Sequence, residues 1–360
     1  MAETSTVIGL TTMSSVNSTF TNSTGTSGVS ARIGIAILSI AFIIGFPGNA
    51  FVIWTILTQM KKRTVTCVLI LHLAMADILV LLTAPFFLHV HSTGSWIFGE
   101  IICKMCYYVC CLSMYASVFL IMFMSIDRFL AVAQPFTSQK LRTKQIVQVL
   151  VGMIWLLSSL LAISMFFCNA LILMNGHLRC IPLHPSPNHM VFQYIFETLT
   201  GFVIPFTIVV FCYVYIGLRL RTAKFQTKQK TSRLVIMILV TFVLFWLPYQ
   251  IVNMLQVSGK IFSSPRLTKA ALVARPNVIA FAYLSSSANP ILYVFAGGNF
   301  IKTAGVGFMA RLFEGTASEM SSLRKFSQVL RQRSRTESVE VEKRLEQTEP
   351  SKNMLSNQTH

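Results

Sequence analysis

Asn289-Pro290-Ile291-Leu292-Tyr293 falls inside the last of seven long apolar segments in this 360-residue chain. A side-chain amide and a proline inside such a segment free backbone groups that hydrocarbon cannot satisfy. Three other segments carry similar breaches: Leu73-Ala74-Met75-Ala76-Asp77, Asp127-Arg128-Phe129 and Phe245-Trp246-Leu247-Pro248. A carboxylate or an ion pair at membrane depth is costly and marks a site that does something.

Hydrophobic residues make up 54% of the chain and charged residues 12%, about half the charge of a soluble domain. A span needs about 20 mostly apolar residues. The sequence predicts spans at 33–57, 66–90, 101–132, 145–168, 191–218, 233–257 and 274–297. The fold class expected is all-α, a seven-helix membrane bundle. Residues 1–32 read as a polar N-terminal segment without a cleavable signal. Phe300, Ala304, Phe308 and Leu312 recur at helical spacing, so 298–313 reads as an amphipathic helix on the membrane surface. Residues 314–360 are polar and charged and read as a disordered tail.

The net charge of +18 raises nucleic acid, but its placement argues against that. Lys61, Lys62 and Arg63, then Lys140, Arg142 and Lys144, then Arg219, Arg221, Lys224, Lys228, Lys230 and Arg233 all fall on one side of the spans. The positive-inside rule makes that side cytoplasmic, with attraction to anionic lipid as a by-product. The N-terminus is then extracellular, where Asn17-Ser18-Thr19 and Asn22-Ser23-Thr24 are glycosylation sequons. Cys103 and Cys180 face the same oxidising side, so a disulfide between them is expected, although spacing alone does not prove it. Cys67, Cys106, Cys110, Cys111, Cys168 and Cys212 read as small buried hydrophobes.

Asp77 needs partners. Ser117, Ser286 and Asn289 lie at comparable depth and could complete a hydrated pocket for a monovalent cation such as sodium; a protonated structural carboxyl is the plainer alternative. Asp127-Arg128 reads as a switch in which Asp127 holds Arg128 at rest, or simply as an anchor at the headgroups. Pro205, Pro248 and Pro290 are pivots, with Trp246 placed to sense a pocket and Tyr213 placed to meet Tyr293.

Gly48-Asn49, Leu73 to Asp77, Asp127-Arg128, Trp155, Pro205, Trp246-x-Pro248 and Asn289-Pro290-xx-Tyr293 together resemble the rhodopsin-like G-protein-coupled receptors. Leu82 to His89, Ser113 to Val118, Pro135 to Arg142, Leu284 to Ser287 and Phe313-Glu314-Gly315 are similar to the leukotriene B4 receptors. The resemblance implies a plasma-membrane chemoattractant receptor for an oxidised fatty acid, signalling through inhibitory-class heterotrimeric G proteins. Receptor kinases and arrestin would act on the hydroxyls of the tail. The alternative is a chemoattractant receptor for another lipid or a short peptide. The same resemblance places Tyr107, Cys110, Glu197, Trp246, Tyr249 and Arg275 in a ligand pocket. Arg275 would take the carboxylate, with help from Arg179, Lys104, His89 or His91. Tyr107, Asn169 and Leu183 depart from one branch of that family. Tyr107-Tyr108 and His184-Pro185-Ser186-Pro187 look more like the second branch, which also accepts 12-hydroxyheptadecatrienoic acid. Lys228 stands where many relatives carry an acid, which predicts a loosely latched Arg128.

Other classes fit poorly. Residues 274–297 hold no lysine for a retinal Schiff base, and the pocket face of span three has Cys110 where an amine receptor needs an acid. No paired acids, zinc pattern or activated nucleophile suggests an enzyme.

Overall fold

The computed structural model describes residues 24–60, 64–174, 176–222 and 230–296; at 24–27, 29, 220–222, 230–234 and 293–296 it describes the backbone alone. Asn17, Asn22, Lys228, the side chain of Tyr293, the 298–313 segment and the 314–360 tail lie outside the described residues.

Helix α1 runs Thr24–Trp54 and ends in a π turn, Thr55–Gln59. Helix α2, Val65–Leu81, starts at Thr64, whose side chain accepts from the Cys67 amide. The sequence predicts one span over 66–90, but the structure breaks it. Pro85 cannot donate into a continuous ladder, so the chain tightens at Leu82–Thr83 and restarts as α3, Ala84–Thr93. Gly94 closes α3 at φ 73°, where its amide bonds Val90 O at 2.8 Å.

Helix α4, Glu100–Ala133, is central and packs against its neighbours on every side. The short α5, Pro135–Leu141, leads into α6, Lys144–Phe167. Between α6 and the next helix lies an antiparallel hairpin that periodicity did not reveal. Strand β1, Asn169–Met174, pairs with β2, His177–Pro182, in the register Leu171↔Cys180 around Gly176 at φ 79°. The expected Cys103–Cys180 disulfide ties this hairpin to the top of α4.

Helix α7, Pro187–Thr198, passes through a π turn, Leu199–Val203, into α8, Ile204–Thr222. Pro205 follows directly and has no amide to give, so the widened turn absorbs the lost bond. Gly201 sits in that turn because a Cβ there would come within 2.9 Å of Met114 Cε on α4. Helix α9, Lys230–Ile261, contains Pro248, and α10, Pro265–Ala296, contains Pro276 and Pro290.

Helices α1 and α10 approach as closely as backbones allow. A Cβ on Gly48 would meet Pro290 at 2.9 Å, and Asn49 Nδ2 donates to Gly45 O and Ser286 O, both at 2.9 Å. The main core joins Leu69, Leu73, Met114, Tyr115, Leu120 and Phe242, while Ile43, Val149, Phe211 and Val240 point outward. In water those exposed side chains would be a liability; against lipid they are the expected face. Among the described residues, six helical stretches are long and apolar enough to cross a membrane. α10 completes the bundle with a more polar inward face, which includes Arg275, Ser285, Ser286 and Asn289.

Candidate ligand cavity and switch residues

A cavity of about 800 Å³, counting the part open to solvent, lies within the hairpin end of the bundle. Its walls are mainly apolar, and its polar groups converge from α4, α7, α9 and α10. Of the residues expected in a ligand pocket, Tyr107, Cys110, Glu197, Trp246, Tyr249 and Arg275 all line it. Arg179 does not. It sits on β2 opposite Ile172 and is no part of the cavity wall. Lys104 pairs with Glu100 at 2.7 Å on α4, and His89 packs edge-on against Phe98, so neither is a lining group.

Arg275 is 9% exposed. Its Nη1 donates to Asn253 Oδ1 at 3.1 Å and its Nη2 to Gln256 Oε1 at 2.5 Å. Tyr194 lies under the guanidinium at 4.7 Å, and Nε has no hydrogen-bond partner among the described residues. Among the described residues the ion pairs are Lys104–Glu100 and Arg142–Asp127, so no carboxylate contacts Arg275. A buried cation held by neutral amides and a ring face is under-compensated by several kcal/mol relative to a paired one. Glu197 is buried nearby and bonded to Tyr249, with Oε2 unpartnered. Thr198 Oγ1 donates to Gln250 Oε1 at 2.9 Å, which helps fix this polar side of the cavity.

Trp246 lines the cavity, stacked on Phe242 at 5.8 Å and edge-on to Tyr249 at 5.8 Å. Contacts there are positioned to reach the Pro248 kink two residues on. On the opposite wall, Tyr283 OH contacts Thr83 Oγ1 at 2.6 Å and Cys110 Sγ at 3.2 Å. This link joins the α2–α3 break to α10. Thr83, Tyr194, Gln250, Asn253 and Gln256 were missed by sequence reading. Single polar residues in a span carry no local signature until the fold brings them together.

Deeper in the bundle, Asn289 Nδ2 donates to Asp77 Oδ2 at 2.7 Å, and Ser286 also bonds the carboxylate. Ser113 Oγ reaches Ala76 O at 2.9 Å, bringing α4 alongside. Ser117, one turn further along α4, is buried but makes no hydrogen bond to Asp77.

At the far end the expected Asp127–Arg128 latch is replaced by a different arrangement. Asp127 pairs with Arg142, which follows α5, through Nε at 2.8 Å and through Nη2. Arg128 donates to Thr66 on α2. The two side chains leave the helix about 100° apart and take partners on different elements. Tyr213 approaches Ser125 and Arg128 from α8. Trp155 Nε1 donates to His72 Nδ1 at 3.1 Å, fastening α6 to α2.

Residues 48–293 match the family model described as 7 transmembrane receptor (rhodopsin family). The chain is 48% identical to leukotriene B4 receptor 1 of Homo sapiens over 298 residues, 81% of this chain and 85% of that one. It is 50% identical to leukotriene B4 receptor 1 of Mus musculus over 295 residues, covering 81% and 84%. Leukotriene B4 receptor 2 of Mus musculus is 40% identical over 296 residues, covering 80% and 81%. Tyr107-Tyr108 and His184 to Pro187 had pointed toward the second branch, but identity over the chain is higher with the first. A few pocket positions are a small sample of a lineage. With the fold, the match over most of the bundle and these relatives in agreement, the chain is a multi-pass membrane receptor, not an enzyme, and belongs to the rhodopsin family of seven-transmembrane receptors.

Proposed function

We propose that this receptor binds leukotriene B4 or a closely related hydroxylated fatty acid at the plasma membrane and signals chemotaxis and inflammation through an inhibitory-class heterotrimeric G protein. One observation carries the reading: Arg275 is buried beside a largely apolar cavity and no acid contacts it. A fatty acid supplies a carboxylate for that cation and a chain for the apolar walls. Hydroxyls on the chain have Glu197 and Tyr249 as partners. The names of the relatives support the same chemistry.

The hairpin end is then extracellular and the Arg128 end cytoplasmic. Ligand contacts on Trp246 bias the Pro248 and Pro290 kinks, the Asp77 cluster tightens, and Arg128 leaves Thr66 for the G protein. A ligand shifts that equilibrium only by its differential affinity, about 1.4 kcal/mol per tenfold. Asp77, Ser286 and Asn289 supply the oxygens a sodium ion would need, stabilising the resting form. Receptor kinases and arrestin act on the tail afterwards.

The test is inhibitory G-protein activation in cells expressing the chain, titrated with leukotriene B4, 12-hydroxyheptadecatrienoic acid and the methyl ester of each. The acids should act potently, and the esters and Arg275→Ala should each shift the response to higher concentration. Silence to both acids with surface expression confirmed, or equal potency of acid and ester, would sink the assignment.

A further inference from the structure

We propose that Cys168, His184 and His189 form a zinc-binding site at the hairpin end of the bundle, with a fourth position open to water or to a carboxylate. Their candidate ligand atoms, one thiol sulfur and two imidazole nitrogens, all lie within 4.8 Å of one another.

The local fold explains why three residues spread over 22 positions meet. Cys168 caps the end of α6 and leads into β1. The hairpin brings the chain back, and the Leu183 amide donates to Cys168 O at 2.7 Å, so His184 emerges beside the cysteine. Ser186 then caps α7 by accepting from the His189 amide at 3.2 Å, which sets His189 in the first helical turn, its ring 5.9 Å from that of His184.

A second observation points to a ligand. Both ring nitrogens of His184 are buried, and neither has a hydrogen-bond partner among the described residues. A buried imidazole normally satisfies at least one nitrogen, and an orphaned pair invites an explanation. Its ring rests edge-on to Tyr194 at 5.4 Å, which holds it in place. Burial, aided by His189 and Arg275 nearby, pushes the His184 pKa down to about 4, so the ring is neutral and keeps a lone pair at neutral pH. Cys168 is a free thiol. Metal binding must therefore displace its proton to solvent as the sulfur–metal bond forms.

The donor set selects the metal. One thiolate and two imidazoles suit zinc; calcium and magnesium prefer oxygen. Around tetrahedral zinc the donors sit about 3.5 Å apart, so side-chain rotations of about 1 Å complete the site. Three protein ligands leave one position, as in zinc sites that exchange a water. Cys168 and His184 also line the ligand cavity, and His189 does not, so an ion here would stand at the cavity wall. The charge of Arg275 opposes the ion, and the Cys168 thiolate offsets part of that opposition.

The test uses the full-length receptor in lipid nanodiscs, titrated with Co²⁺ as a spectroscopic probe and then with Zn²⁺. One Co²⁺ per receptor should give a thiolate-to-cobalt charge-transfer band that Zn²⁺ abolishes. Cys168→Ser should remove the band, and His189→Ala should weaken binding about tenfold or more. In cells, added Zn²⁺ should shift the agonist concentration–response curve of the wild type and leave that of His189→Ala where it was. No band in the wild type, a band that survives Cys168→Ser, or an equal zinc shift in His189→Ala would overturn the site.

Discussion

Among the described residues two arginines are buried, one at each end of the bundle, and they are held in opposite ways. Arg128 is 1% exposed, bonded to Thr66, with the neighbouring Asp127 committed to Arg142. Its surroundings are protein on all sides. Arg275 is nearly as buried but faces a cavity, and its partners are the amides of Asn253 and Gln256 and the ring of Tyr194. One cation is stored in a closed contact, the other is left facing space that an anion can fill. A receptor needs both: a site whose electrostatics improve when ligand arrives, and a site whose contacts are given up when the state changes.

The comparison breaks most sharply at Arg275. Replacing it with alanine should weaken acid agonists by about 3 kcal/mol, more than 100-fold, because the ligand carboxylate would be buried without a partner. Arg275→Lys should recover only part of that, since lysine lacks the two-pronged fork. Concentration–response curves with acid and methyl ester check it: the loss should be confined to the acid. Next in size is Asp77→Asn, which should abolish sodium-dependent weakening of agonist binding, an effect of about tenfold in the parent; radioligand competition with and without sodium reads this. Gly48→Val should lower thermal stability by about 1–3 kcal/mol, because its side chain would drive α1 off Pro290; a thermal-shift assay on purified receptor is sufficient. The smallest effect belongs to the other arginine. Thr66→Val removes one charge-assisted hydrogen bond from Arg128 and should raise basal nucleotide exchange several-fold without changing agonist affinity for the resting form. If Thr66→Val leaves basal exchange unchanged, Arg128 is not restrained by that contact.

What could be read in advance follows a physical rule. Features that violate hydrocarbon stand out in one dimension: the spans, Asp77, the prolines, Asn289 and the cysteine pair were all legible. The partners Ser286 and Asn289 for Asp77 were legible too, because a lone carboxylate in a span demands company and few polar residues were at its depth. The break at Leu82–Thr83 was not, because proline is tolerated in membrane helices and its effect depends on what can re-satisfy the ladder. The β hairpin was hidden in a short loop with no alternating run long enough to read. The Asp127–Arg128 switch was read with Asp127 holding Arg128, whereas Asp127 pairs with Arg142 and Arg128 donates to Thr66; nothing local in the sequence names either partner. Gln250, Asn253 and Gln256 look like ordinary polar residues until α9 and α10 turn them toward Arg275.

The π turn at Leu199–Val203 has a consequence for how this receptor can diversify. One extra residue in a helical turn rotates everything on one side of it by about 100° relative to the other. Glu197 and Tyr194 lie before that turn, and Tyr213 lies after it. The register of the ligand end is therefore indexed separately from the register of the signalling end. Removing a single residue between 199 and 203 would leave the composition of the pocket nearly intact while swinging Glu197 off the cavity wall. Specificity in this segment can change through chain length alone, with no substitution at any residue that touches the ligand.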